Sequence, residues 1–154
     1  MKVFRKTIAF ALALSLGLFS GVGVVYAGYA ESAWWDTGKI NGINYTQCAA
    51  IETSYYANRY LATAGTWVRP TNKTAQNGYM GAIPYLCYPD GTVCRAGNWY
   101  YNGTPYSAGT WMSIGYFCSV SIGTSWISWG RTAHWNGYSY YEYNTWQSPA
   151  QTAY

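Results

Sequence analysis

The stretch Met112-Ser113-Ile114-Gly115-Tyr116-Phe117-Cys118-Ser119-Val120-Ser121-Ile122 decides how this chain is read. Met112, Ile114, Tyr116, Cys118, Val120 and Ile122 alternate with Ser113, Gly115, Phe117, Ser119, Ser121 and Gly123. Successive side chains of a strand point to opposite faces, so this period of two predicts a strand with one buried face and one mostly small or polar face. Cys118 then points into the core.

The turns around it carry the same message. Asn-Gly occurs at 41–42, 77–78, 102–103 and 136–137, and Asp-Gly at 90–91. These pairs tolerate the positive φ angles of tight hairpins, and here they are flanked by aromatic and β-branched residues. Further strands are predicted over 33–39, 43–53, 55–63, 66–69, 81–88, 92–99, 125–129 and 138–146. Residues 47–64 hold five alanines and admit a helix capped by Thr46 and stopped by Gly65. Their apolar residues lose the 3.6 period past Tyr55, so strands are favoured. The expected fold is all-β, a single antiparallel β-sandwich built from hairpins, with a small β-barrel as runner-up. Ala64-Gly65-Thr66-Trp67 recurs as Ala108-Gly109-Thr110-Trp111, which reads as reuse of one strand-entry chemistry rather than a repeat array.

Residues 1–27 read as a secretory signal peptide. Lys2, Arg5 and Lys6 precede an apolar core over 8–19, and Val25-Tyr26-Ala27 places small residues at a cleavage site. Cleavage after Ala30 is the alternative. The expected product is a secreted, extracellular domain over 28–154, with no membrane span after cleavage. The leader style suggests export by a Gram-positive bacterium.

Removal of the leader changes the charge. Three of nine basic residues leave with it and all five acids stay, so +4 falls to +1. No clustered basic stripe remains, and no nucleic-acid partner is expected.

Cys48, Cys87, Cys94 and Cys118 form an even set in an exported chain, which predicts two disulfides. A two-residue Asp90-Gly91 turn would set Cys87 opposite Cys94. Pro89 before it suits a type I turn with a Gly bulge instead, pairing Cys87 with Val93 and turning the two sulfurs apart. Cys87–Cys94 with Cys48–Cys118 is the leading connectivity, and the others stay open. The spacing lacks a zinc knuckle, so no metal is expected.

Catalytic material is scarce. The acids are Glu31, Asp36, Glu52, Asp90 and Glu142. Asp90 belongs to a turn, and Glu31 lies at the start of the mature chain. A glycan hydrolase would need two of Asp36, Glu52 and Glu142 flanking one bond, roughly 5 to 9 Å apart. His134 is the sole histidine and no G-x-S-x-G elbow supports a serine nucleophile. No phosphate loop is present, and no cofactor is expected.

The aromatics are the better functional candidates. Of 18 Tyr, 9 Trp and 4 Phe, the leader takes three Phe and one Tyr, leaving Phe117 alone among 17 Tyr and 9 Trp. Tyr and Trp carry an O–H or N–H that wants a partner or water, so this bias predicts wet aromatic surfaces. The densest runs are Trp99, Tyr100, Tyr101 and Asn102 with Tyr106, and Trp135 with Tyr138, Tyr140, Tyr141 and Tyr143. Over 138–143 both strand faces carry rings. These ten residues are the candidate binding site. The expected function is non-catalytic binding of a glycan or cell-surface ligand, with the hydrolase and an antimicrobial or toxin-like protein as alternatives. Oligomeric state is left open.

Overall fold

The computed structural model describes residues 25–154, so the leader reading lies outside the described residues except for the backbone of 25–27. The strands are β1 (Val25–Glu31), β2 (Trp35–Ile40), β3 (Ile43–Tyr56), β4 (Arg59–Pro70), β5 (Met80–Cys87), β6 (Val93–Ala96), β7 (Tyr100–Tyr101), β8 (Met112–Val120), β9 (Ser125–Trp135), β10 (Tyr140–Asn144) and β11 (Gln151–Thr152). The described residues are all-β, and every strand pairing is antiparallel. One sheet runs β1-β3-β4-β8, with β2 also on β3; the other runs β10-β9-β5-β6, with β7 on β5 and β11 on β9.

Long strands are flanked by pairs of short ones. β3 carries β2 along Ile43–Gln47 and β1 along Ala50–Tyr55. β5 carries β7 at Gly81–Ala82 and β6 at Tyr85–Cys87. The gap between β1 and β2 is pinned by Ser32, whose N–H donates to the Ala49 carbonyl while its Oγ accepts from the Ala49 N–H.

The 47–64 region is two strands joined by a tight turn, with no helix. β3 and β4 form one long hairpin that pairs Tyr45 with Pro70 at one end and Tyr56 with Arg59 at the other. Its two-residue turn puts Ala57 at φ 50° and Asn58 at φ 62°. The Asn41-Gly42 turn has the same form, with φ 50° and 79°, as the dipeptide predicts.

Both sheets feed a shared core. One cluster joins Ile43, Tyr45 and Val68 of the first sheet to Met80 and Ala82 of the second, with Met112 of β8. Another joins Ile51, Ala62 and Ala64 to Leu86 and Trp126. The Met112 alternation holds along β8, although Ile122 lies beyond the strand and is exposed.

Between the clusters the sheets meet through small and polar residues. A Cβ on Gly130 would sit 1.8 Å from Thr66 Oγ1, so only glycine allows β9 this close to β4. Ser128 Oγ donates to the Gly65 carbonyl and Thr66 Oγ1 to the Ile83 carbonyl, which satisfies buried hydroxyls inside the core. Gly130 reads as a breaker in sequence, which is why the strand expected over 125–129 is corrected to one reaching Trp135.

The disulfide expectation is also corrected: Cys48, Cys87, Cys94 and Cys118 are all free thiols. Register explains why the leading pairing fails. Cys118 lies opposite Ala62, which faces the core, whereas Cys48 lies opposite Trp67 on the outward face of the same sheet. The turn after Tyr88 is the Pro-containing form, with Gly91 N–H donating to the Tyr88 carbonyl and Gly91 at φ 88°. Cys87 accordingly falls opposite Val93, and a further shift brings Arg95 opposite Leu86.

Candidate binding face

The outward face of the second sheet follows from its register. Met80, Ala82 and Leu86 of β5 face the core, so Gly81, Ile83, Tyr85 and Cys87 face away from it. Their partners across the ladders are Ala133, Arg131, Trp129 and Ile127 of β9. β7 adds Tyr101 opposite Gly81, and β10 adds Tyr140 opposite Trp135 and Glu142 opposite Ala133.

These positions assemble four aromatic rings into a continuous row. Trp99 and Tyr101 stack with centroids 5.9 Å apart and planes 20° apart. Tyr101 meets Tyr140 at 4.8 Å and 51°, and Tyr140 meets Trp135 at 5.2 Å and 61°. The row is therefore corrugated, with one near-parallel pair and two tilted ones. Its geometry is fixed from beneath and at the side. The Tyr101 ring lies on Gly81, and the Tyr140 hydroxyl donates to the Gly78 carbonyl at 2.6 Å.

Charge sits beside the rings. Arg131 pairs with Glu142 on the adjacent strand, and its guanidinium lies 6.0 Å from the Trp99 ring centroid. Partial burial raises the Tyr101 phenol above its ordinary pKa, with the Tyr140 and Glu142 charges acting in the same direction. Tyr85 and Trp129, 4.5 Å apart, extend the aromatic surface toward Cys87.

The ten residues singled out in sequence divide into three groups. Trp99, Tyr101, Trp135 and Tyr140 form the row. Tyr100 and Tyr141 are exposed on the adjoining edges, and Tyr138 stands at the tip of the β9–β10 turn, 94% exposed.

Asn102, Tyr106 and Tyr143 are scaffold. Asn102 is buried, accepts from the Met80 N–H, and donates to the Gln76 and Thr104 carbonyls. Tyr106 exchanges backbone hydrogen bonds with Ala75 and packs on the first core cluster. Tyr143 packs on that cluster too, between Trp35 and His134.

Arg131, Glu142, Tyr85, Trp129 and Gly81 were not selected as binding residues in sequence. Trp129, Arg131 and Trp135 share one parity, a signal hidden by ending the strand at Trp129.

The candidate acids are kept apart. Glu142 is on the outward face of the second sheet and Glu52 on the outward face of the first, with both sheets between them. Asp36 lies opposite Thr46, six residues along β3 from Glu52, a separation of about 20 Å. Its Oδ1 accepts the Gly38 N–H at 2.7 Å. Glu52 borders a small open depression also lined by Tyr29, Ala50, Thr63, Gly65, Trp67 and Gly115. Burial raises its carboxyl pKa.

His134 is a core residue. Its ring stacks on Tyr45 with centroids 4.2 Å apart, and Nε2 lies 3.0 Å from Thr132 Oγ1. Thr132 in turn donates to Gln47 Oε1, whose amide donates across to the Asn144 carbonyl. Burial pushes the imidazole pKa down to about 3, so it is neutral at physiological pH.

No protein-family model and no curated protein matches the chain.

Proposed function

We propose that the protein is an exported two-sheet β-sandwich that binds glycans of the cell envelope or environment without catalysis. The observation that carries this reading is the row Trp99–Tyr101–Tyr140–Trp135 beside the Arg131–Glu142 pair, all on one outward face. A pyranose offers a flat C–H face that packs on an indole or phenol. Its hydroxyls both donate and accept, and Arg131 supplies donors while Glu142 supplies acceptors. Rings held by Gly81 and the Gly78 carbonyl pay little ordering entropy when a ligand arrives. The separation of Asp36, Glu52 and Glu142 favours this reading over two-carboxylate hydrolysis.

The test is retention of the mature protein on insoluble glycans and whole cell walls, comparing wild type with Trp99→Ala. Circular dichroism checks that the variant folds. Truncating a central aromatic contact is expected to weaken retention about 10-fold or more. Equal retention of both proteins, or none for either, removes the glycan reading.

A further inference from the structure

Of the four thiols, two face outward on opposite sheets. Cys48 packs with Ala50 and Trp67 on the outer side of the first sheet, and Cys87 lies on the outer side of the second beside Trp129. Neither can reach the other through the core. Cys94 and Cys118 differ. Both pack on the same inward cluster of Ile51, Ala62, Ala64, Leu86 and Trp126, one from each sheet. The Tyr88 ring lies against Trp126 of that cluster, with centroids 5.1 Å apart.

Each strand ends its own sheet, β6 next to β5 and β8 next to β4, and β8 packs against β5. We propose that Cys94 and Cys118 are a dithiol pair whose oxidation forms one inter-sheet disulfide, clamping the β6 edge onto β8, while Cys48 and Cys87 stay reduced. A disulfide needs Cα atoms roughly 4.4–6.8 Å apart, closer than the ~10 Å between stacked sheets. One edge must therefore move inward. β6 is the element that moves: it has four residues, Val93, Arg95 and Ala96 are exposed, and the bulge at Cys94 already loosens its pairing to β5.

The chemistry is thiol–disulfide exchange with a small-molecule or protein disulfide. The Cys94 thiolate attacks one sulfur of that disulfide, forming a mixed disulfide and releasing one thiol. The Cys118 thiolate then attacks Cys94 Sγ and releases the second. Two electrons pass to the oxidant, and the two protons lost by Cys94 and Cys118 appear on its thiols.

Oxidised glutathione is the probe, with peptides mapped by mass spectrometry under non-reducing conditions. Denatured thiol titration is expected to fall from the four free thiols of the reduced protein to two, with a 94–118 cross-linked peptide. The Cys48→Ser/Cys87→Ser double variant is expected to fall from two to none and to gain about 10 °C in Tm, as closing a loop of this length does. Cys118→Ser is expected to stop at a glutathione adduct on Cys94. Adducts on both Cys94 and Cys118 without a cross-link, or a cross-link containing Cys48 or Cys87, would overturn the proposal.

Discussion

The ring of Tyr101 covers Gly81, its direct partner across β5 and β7: a Cβ at 81 would lie 2.6 Å from two ring carbons. Glycine inside a strand normally costs stability, so Gly81→Ala would ordinarily be neutral or stabilising. Here the methyl must push Tyr101 away and break its stacking with Trp99 and Tyr140. Gly81→Ala is expected to lose about 1–3 kcal/mol in urea unfolding and to weaken glycan retention as Trp99→Ala does. A variant as stable as wild type would show that the ring is not held this way.

Acid sensitivity is expected to centre on His134. Its folded-state pKa is depressed to about 3 from an ordinary 6.5, so above pH 6.5 both folded and unfolded states leave it neutral and its stability contribution is whole. As pH falls, the unfolded chain takes the proton first, and stability drops by about 1.4 kcal/mol per pH unit until the folded pKa is reached. Glu52 works in the opposite sense, since its raised pKa favours the folded state as it protonates. His134→Phe should therefore flatten the decline between pH 6 and 3 in denaturant titrations. An unchanged slope would assign the acid sensitivity elsewhere.

The β3–β4 turn carries a local cost. Ala57 sits at φ 50°, where an L side chain costs roughly 1–2 kcal/mol and glycine costs nothing. Ala57→Gly is expected to stabilise the protein by about 0.5–1 kcal/mol after the added unfolded-state entropy is subtracted. A shift of the urea midpoint to lower concentration would contradict this.

On the proposed export, the two leader cuts considered differ structurally. Cleavage after Ala27 leaves Gly28–Glu31 paired with β3, and a Cβ on Gly28 would meet the Gln151 side chain at 2.1 Å, so β11 rests on this segment. Cleavage after Ala30 removes Ala30, which packs on Ile51 and its neighbours. On that proposal the mature chain is expected to begin at Gly28 by intact mass, and a mature chain beginning at Glu31 would contradict the cut after Ala27.

Fold class was legible because its signals are local. The alternation from Met112 to Val120 and the Asn-Gly turn at 41–42 depend on residues a few positions apart. β1 and β11 were missed because short edge strands are made by their partners, β3 and β9, rather than by their own propensity. The expected strand over 125–129 stopped short at Gly130, since a glycine that ends a strand and one that lets two sheets touch look alike in sequence.

The ten candidate residues do not all fall on one face. Trp99, Tyr101, Trp135 and Tyr140 share a surface, while Asn102, Tyr106 and Tyr143 serve the scaffold. That division depends on which side of a ladder each residue occupies, which pairing settles and composition does not. The cysteine connectivity failed on the same point.

Cys48 and Cys87 are buried, yet they lie on the two outward faces beneath different aromatic neighbours, Trp34 and Trp67 for one and Trp129 for the other. A thiol-reactive probe reaches either sulfur only when its own cover lifts. Two alkylation rates measured on the unaltered chain thus act as separate gauges, one for each exterior wall. A ligand seated near Trp129 is then registered by slower labelling at Cys87 alone, without any engineered reporter.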